Sequence, residues 1–277
     1  PEECIARAAE ILQKSVGGNF LVRQAKKIRN AFSQNLQSSL PSVHAQVAEG
    51  ILLGIKSKFP STIEQNFKKA GIQHILVVSG FNVTVLLVFV AFFLNRLGRR
   101  VVFVGSVFFL LFFVLMVGLE PSILRAAIFG ILSSLAVLWG KTTDSRNFLF
   151  CSAVCLALYS PTMIQYDIGF LLSFSATMGI ILGVPICEKL PLNEKIKMPI
   201  AVIVSAQIAV LPILGLYFQE FPFIGFVSNF FVEPLVPVAM GFSFLAGMVG
   251  FVSEIGALLF ALPAKIVIDG IFLIAKI

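Results

Sequence analysis

With 277 residues, 58% of them hydrophobic and 13% charged, the chain carries about half the charge of an ordinary soluble protein. A soluble domain of this size could not hide that much apolar surface, so a soluble enzyme is excluded and lipid is the expected solvent. The net charge of +7 is uneven: residues 1–70 hold 10 of the 21 Lys and Arg, and most of the rest sit in three short clusters.

The first 70 residues read as a basic amphipathic helical segment. "LVRQAKKIRNAFSQNL" spaces Val22, Ala25, Ile28 or Arg29, Phe32 and Leu36 as one helical stripe amid basic residues. "SVHAQVAEGILLGIKSK" repeats Val43, Val47, Ile51 and Ile55 every four residues, with Ala48 and Leu52 beside them. In "PSTIEQNFKKAG", Ser61 and Glu64 form a capping box after Pro60, and Gly71 is the stop. These helices are too polar to span a bilayer; they are expected to lie at the membrane surface or pack on a bundle.

From residue 71 to 277 the pattern becomes long apolar runs: 72–94, 101–119, 121–139, 147–163, 168–187, 198–218, 223–252 and 255–276. The expected fold is all-α, a polytopic membrane helical bundle of about eight spans behind the amphipathic segment. The fourth run is the weakest, crowded by Pro161, and the seventh is overlong and interrupted by Glu233, Pro234 and Pro237. The loops after runs 1, 3 and 5 hold Arg96, Arg99, Arg100, Lys141, Arg146, Lys189, Lys195 and Lys197. Those after runs 2, 4 and 6 hold no Lys or Arg, and carry Glu120 and Glu220. Positive loops stay inside, so the odd loops are cytoplasmic and residues 1–70 extracytoplasmic. The expected location is the cell membrane, in many passes. The chain opens on Pro1 with no signal peptide and closes inside an apolar run, so a piece of a longer protein is expected.

That orientation collects the costly residues in one leaflet. His74, Ser79, Gly80 and Asn82 open the first run, Arg125 the third, Asp167 the fifth, and Asn229 and Glu233 the seventh. A charge near a helix centre costs about 2.5–3.5 kcal/mol on insertion scales, so clustering points to a wet vestibule open to the exterior. Each has a plainer reading. Ser79 and Gly80 fit close helix approach, Asn82 a single interhelical hydrogen bond, Arg125 snorkelling or a pair with Glu120. Lys265 and Asp269, four apart, fit mutual neutralisation. Glu233 before Pro234 is harder to dismiss, because a broken helix beside an acid is typical of a permeation path. Cys4, Cys151, Cys155 and Cys187 have no ligand or disulfide spacing, and two histidines cannot make a His-rich site, so no metal or cofactor is expected.

"GIQHILVVSGFN", "PSILRA" and "DIGFLLSFSAT", followed by "AQIAVLPILGLYFQEFPFIGFVSNFFVEPLV", resemble in order and spacing the transmembrane competence domain of ComEC-type DNA-uptake channels. The likeness covers roughly residues 36 to 255. It brings over His74, Ser79, Gly80, Arg125, Asp167, Gly169, Phe170, Ser173, Gln207 and Asn229 as matched positions. Asn82 replaces the family's histidine, Leu171 its usual glutamine, and Glu233 stands where small or apolar residues are usual; Asn82 and Glu233 therefore rest on physical grounds. The resemblance implies passage of single-stranded DNA across the cytoplasmic membrane during natural transformation. It also implies a lipid bilayer as surroundings and separate DNA-receptor and motor proteins as partners. "GKT" at 140–142 lacks the glycine a phosphate loop needs, Leu135 standing there, so no motor resides in this chain. Longer members add oligonucleotide-binding-like and metallo-β-lactamase-like domains; no His-x-His-x-Asp-His run occurs here.

Three other readings compete with a channel that is not an enzyme. One is a small-solute or proton-coupled permease using Asp167, Glu233 or Asp269. The second is a structural assembly protein whose polar residues glue helices. The third, a Ser79 hydrolase, is remote, because His74 is poorly faced.

Overall fold

The computed structural model describes residues 20–76, 78–118, 121–140, 144–159, 161, 166–187, 191, 193–218 and 224–276. Cys4, Glu120, Lys141, Lys189 and Glu220 lie outside them. Among the described residues the chain forms twelve α-helices and no strand. Three open it: α1 (Phe20–Ser39), α2 (Ser42–Leu53) and α3 (Ser61–Lys69). A 3₁₀ turn at Gln73–Leu76 precedes α4 (Gly80–Leu94), α5 (Arg99–Val117), α6 (Pro121–Leu138) and α7 (Ser145–Tyr159). Then come α8 (Ile168–Cys187), α9 (Glu194–Phe218), α10 (Gly225–Val232), α11 (Leu235–Val249) and α12 (Glu254–Ala275).

The helical membrane bundle is as expected; the count of eight spans is not confirmed. Among the described residues five helices are long and apolar enough to cross, α4 (through Leu97), α5, α8, α9 and α12, and the α10–α11 pair, bent by 43°, makes a sixth. The apolar stretches Ile123–Leu138 and Ser145–Tyr159 are shorter. The bend falls at Glu233 and Pro234, where the sequence placed the interruption, because proline has no amide hydrogen to donate. The first run also differs. Its helix begins at Gly80, not near residue 72, because Ser79 caps it, its Oγ accepting from Asn82 N. His74 therefore lies in the 3₁₀ turn, outside the spanning helix.

Helices α4, α5 and α6 run antiparallel, and Leu87, Leu110 and Gly130 meet in one layer. At one end Gly140 lies against Arg99, so the loops after α4 and α6 meet there. At the other end Gly80 lies against Arg125. Helices α8 and α9 touch along Gly179 and Gly183, whose missing side chains admit the backbone of Ser205. This small-xxx-small spacing is a common way for membrane helices to pack closely.

The amphipathic segment packs onto the bundle. Val22, Ala25, Phe32 and Leu36 are buried in α1, and Ile28 is exposed, so Arg29 is the residue that continues the stripe inward. Its Nη1 donates to Met116 O at 3.0 Å, capping the last turn of α5. Asn35 Nδ2 donates to Gly247 O at 3.1 Å, near the end of α11. Arg29 and Asn35 are about 9 Å apart along α1. The ends of α5 and α11 are thus closer than the roughly 30 Å of a hydrocarbon core. Strict alternation of eight full crossings would put them on opposite faces. In α2, every residue from Val47 to Leu53 is buried. The capping box expected for α3 is absent: Pro60 occupies the cap and Ser61 makes no cap bond.

Candidate functional site

The site is built on Arg125, four residues after Pro121 opens α6. Its Nε donates to Ser173 Oγ at 2.7 Å and its Nη1 to Thr177 Oγ1 at 3.0 Å, both on α8. These two hydroxyls are one turn apart on one face. Thr177 Oγ1 in turn donates to Ser173 O at 2.9 Å, which fixes its lone pairs toward the guanidinium. The guanidinium carbon lies 5.7 Å from the centre of the Phe174 ring, and Phe174 stacks on Phe170 at 4.2 Å. A cation over an aromatic face gains about 0.5–2 kcal/mol, depending on desolvation.

The third nitrogen, Nη2, points at α4. A Cβ at Gly80 would lie 2.7 Å from it, so only glycine lets the guanidinium seat there. Ser79 precedes that glycine; its Oγ donates to Asn82 Oδ1 at 3.1 Å. Asn82 Nδ2 donates to Ile51 O at 3.1 Å, tying α4 to α2. Asn82 is 2% exposed, so it is the interhelical hydrogen bond of the plainer reading. Among the described residues no carboxylate pairs with Arg125. The hydroxyls orient its charge without cancelling it.

The other expected residues fall elsewhere. Asp167 Oδ1 accepts from Phe170 N at 2.8 Å and caps α8, and Gly169 lies beside that carboxylate. Gln207 of α9 lies against Gly225 at the start of α10, with Gly71 beside them. Asn229, one turn on, is 3% exposed, with Oδ1 lacking a hydrogen-bond partner. Glu233 occupies the break after α10 and is half-buried. Polar groups of separate helices do meet, as Ser79, Gly80, Arg125 and Ser173 in one knot, and Gln207 with α10 in another. Two grooves on the described surface are apolar, and none of the expected residues lines either. The shared vestibule is not among the features described.

Sequence reasoning missed Thr177 and Phe174, although "SFSAT" places them four and one residues after Ser173. It also missed the ties of Glu49 and of His44. Glu49, 2% exposed, accepts from Ser33 Oγ at 2.5 Å and Gln37 Nε2 at 2.6 Å. His44 Nε2 lies 2.7 Å from Asp269 Oδ1, binding α2 to α12. Lys265 Nζ is 3.9 Å from Asp269 Oδ2, the expected neutralising pair, but Asp269's nearer partner is the histidine.

The model of one protein family, described as Competence protein, matches residues 51–277. The chain belongs to the Competence protein family. Over 234 residues it is 28% identical to ComE operon protein 3 of Bacillus subtilis (strain 168). That match takes in 82% of this chain and 28% of the relative, so the chain spans little more than a quarter of that protein's length. No solved structure matches it. The family match takes in α3 to α12 and so the whole Arg125 knot, but begins after Arg29, His44 and Glu49.

Proposed function

We propose that this chain is the membrane portion of a conduit that passes single-stranded DNA across the cytoplasmic membrane in natural transformation. Membership of the Competence protein family supports this, as does likeness to a relative whose name places it in the ComE operon. The observation that carries it is the arginine held by neutral partners. An arginine in an apolar bundle is costly, and one kept only for packing is normally matched by a carboxylate. Here two hydroxyls, an aromatic face and a glycine gap aim the charge, and among the described residues no carboxylate cancels it.

In this reading a backbone phosphate takes Nη2 and the open lone-pair directions around the guanidinium, and the fork geometry suits a phosphate's paired oxygens. Because the clamp is neutral, the phosphate meets one charge rather than several. It is held weakly enough to be exchanged for the next along the strand. The Phe170–Phe174 stack offers a flat apolar face on which bases of any sequence slide. Residues 20–70 lie on the outer side in this reading, where their basic face attracts the polyanion before entry. The chain performs no covalent chemistry in this scheme. A receptor brings DNA to it, and a motor protein drives the strand.

The permease reading loses two of its three acids to structure, Asp167 to a helix cap and Asp269 to His44 and Lys265. The test is uptake of labelled duplex DNA by competent cells lacking the gene. The label is expected to bind at the surface and fail to reach the cytosol. Normal transformation of the deletion strain would overturn the proposal.

A further inference from the structure

One groove faces away from the Arg125 knot, between α7 and α8. It measures about 470 Å³, with Leu149 and Ala153 on one wall, Met178 and Leu182 on the other, and Arg146 at one end. Leu149 is buried, whereas Phe150, Met178 and Leu182 are 72%, 48% and 56% exposed, so the groove opens outward to lipid. Its sides are nearly all hydrocarbon, and its one charge is at a tip.

The level of that tip is marked independently. Trp139, the only tryptophan of the chain, is 65% exposed at the end of α6, and indole rings collect at the membrane–water interface. Gly140 follows it and lies against Arg99 Nη1. Arg146 is six residues further on, in the second position of α7, and exposed. Arg146 therefore sits at headgroup depth, on the face that carries the basic loops. From there α7 rises about 10 Å to Ala153, and α8 about 12 Å from Leu182 to Phe174. Both fit inside one leaflet of about 15 Å, half the hydrocarbon core. Asp144 is the nearby acid, but Oδ1 accepts from Arg146 N and Oδ2 from Asn147 Nδ2, so its charge is engaged at the start of the helix.

We propose that the groove between α7 and α8 is a binding site for one acyl chain of an anionic phospholipid whose headgroup rests on Arg146. The occupant is a lipid rather than free phosphate, because the apolar walls extend a leaflet's depth from Arg146, the one cation among the described lining residues. The site opens to lipid and shares only Phe174 with the proposed DNA path. Its far end is Phe174, the ring under Arg125, so a bound chain would buttress that ring from the lipid side.

The experiment is native mass spectrometry of the detergent-purified full chain after exposure to equal phosphatidylglycerol and phosphatidylcholine. Wild type is expected to retain several-fold more of the anionic lipid. Arg146→Gln, at an exposed position, is expected to abolish the preference while total lipid stays similar. Ala153→Phe, which fills the wall, is expected to lower both lipids; if it fails to fold, Arg146→Gln decides alone. Equal retention of the two lipids by wild type, or an unchanged preference in Arg146→Gln, would overturn the site.

Discussion

Two regions handle intramembrane polarity in opposite ways. Around α1, α2 and α12, most polar ties run between groups that meet one another, although Arg29 Nε, His44 Nδ1 and Gln46 Oε1 are buried without a hydrogen-bond partner. Glu49 is met by two donors, Arg29 caps a helix end, and His44 meets Asp269, which Lys265 also approaches. At the junction of α4, α6 and α8 a full positive charge is held by two hydroxyls and a ring, with no described acid against it. The first pattern is what stability asks for, since a buried charge without compensation is expensive. The second is poor for stability alone and suits a visiting anion.

Substitutions that treat the two regions alike should therefore give different results. Arg125→Gln is expected to cut transformation by roughly 100-fold with normal protein in the membrane fraction, on the scale of one or two lost charge-assisted hydrogen bonds. Arg125→Lys should recover part of the loss, since the charge returns without the fork. Transformant counts beside an immunoblot decide it; normal counts for Arg125→Gln would merge the two regions into one structural class. Ser173→Ala with Thr177→Val keeps the charge but frees its direction, and about a tenfold loss is expected in the same assay.

In the other region Glu49→Ala strands the donors of Ser33 and Gln37. It is expected to destabilise the solubilised protein by about 2 kcal/mol, read as a lower thermal midpoint, with uptake per folded molecule unchanged. Asp269→Asn should cost less than about 1 kcal/mol, because that side chain is 51% exposed and its pairs are screened. Asp167→Asn should change uptake least, under about threefold, since asparagine caps helices nearly as well as aspartate. A proton-coupled permease would instead lose its flux in that variant.

What could be read in advance followed from local physics. Apolar runs set most of the helices, and Glu233–Pro234–Pro237 marked the broken one. The residues of the Arg125 knot came partly from charge placement and partly from the family likeness. What escaped is pairing between distant segments. His44 and Asp269 are 225 residues apart, and no periodicity joins them. Ile28 and Arg29 are neighbours on a helix, and only packing against α5 decides which turns inward. His74 was assigned to a span because "GIQHILVV" is as apolar as a helix interior; the Ser79 cap, a backbone event, put it outside. The count of eight is not confirmed among the described residues, for a related reason. Hydropathy measures how greasy a segment is, not whether a helix of 15 residues such as α7, about 22 Å long, reaches across.

The most direct measurement is photocrosslinking during uptake. A benzophenone side chain in place of Phe174, beside the Arg125 guanidinium, is illuminated while competent cells import labelled DNA. The expected result is a covalent adduct between this chain and the imported single strand, absent when the same label replaces lipid-facing Leu258 of α12. Adducts of equal yield at both positions, or none at Phe174 during normal uptake, would contradict a strand passing Arg125.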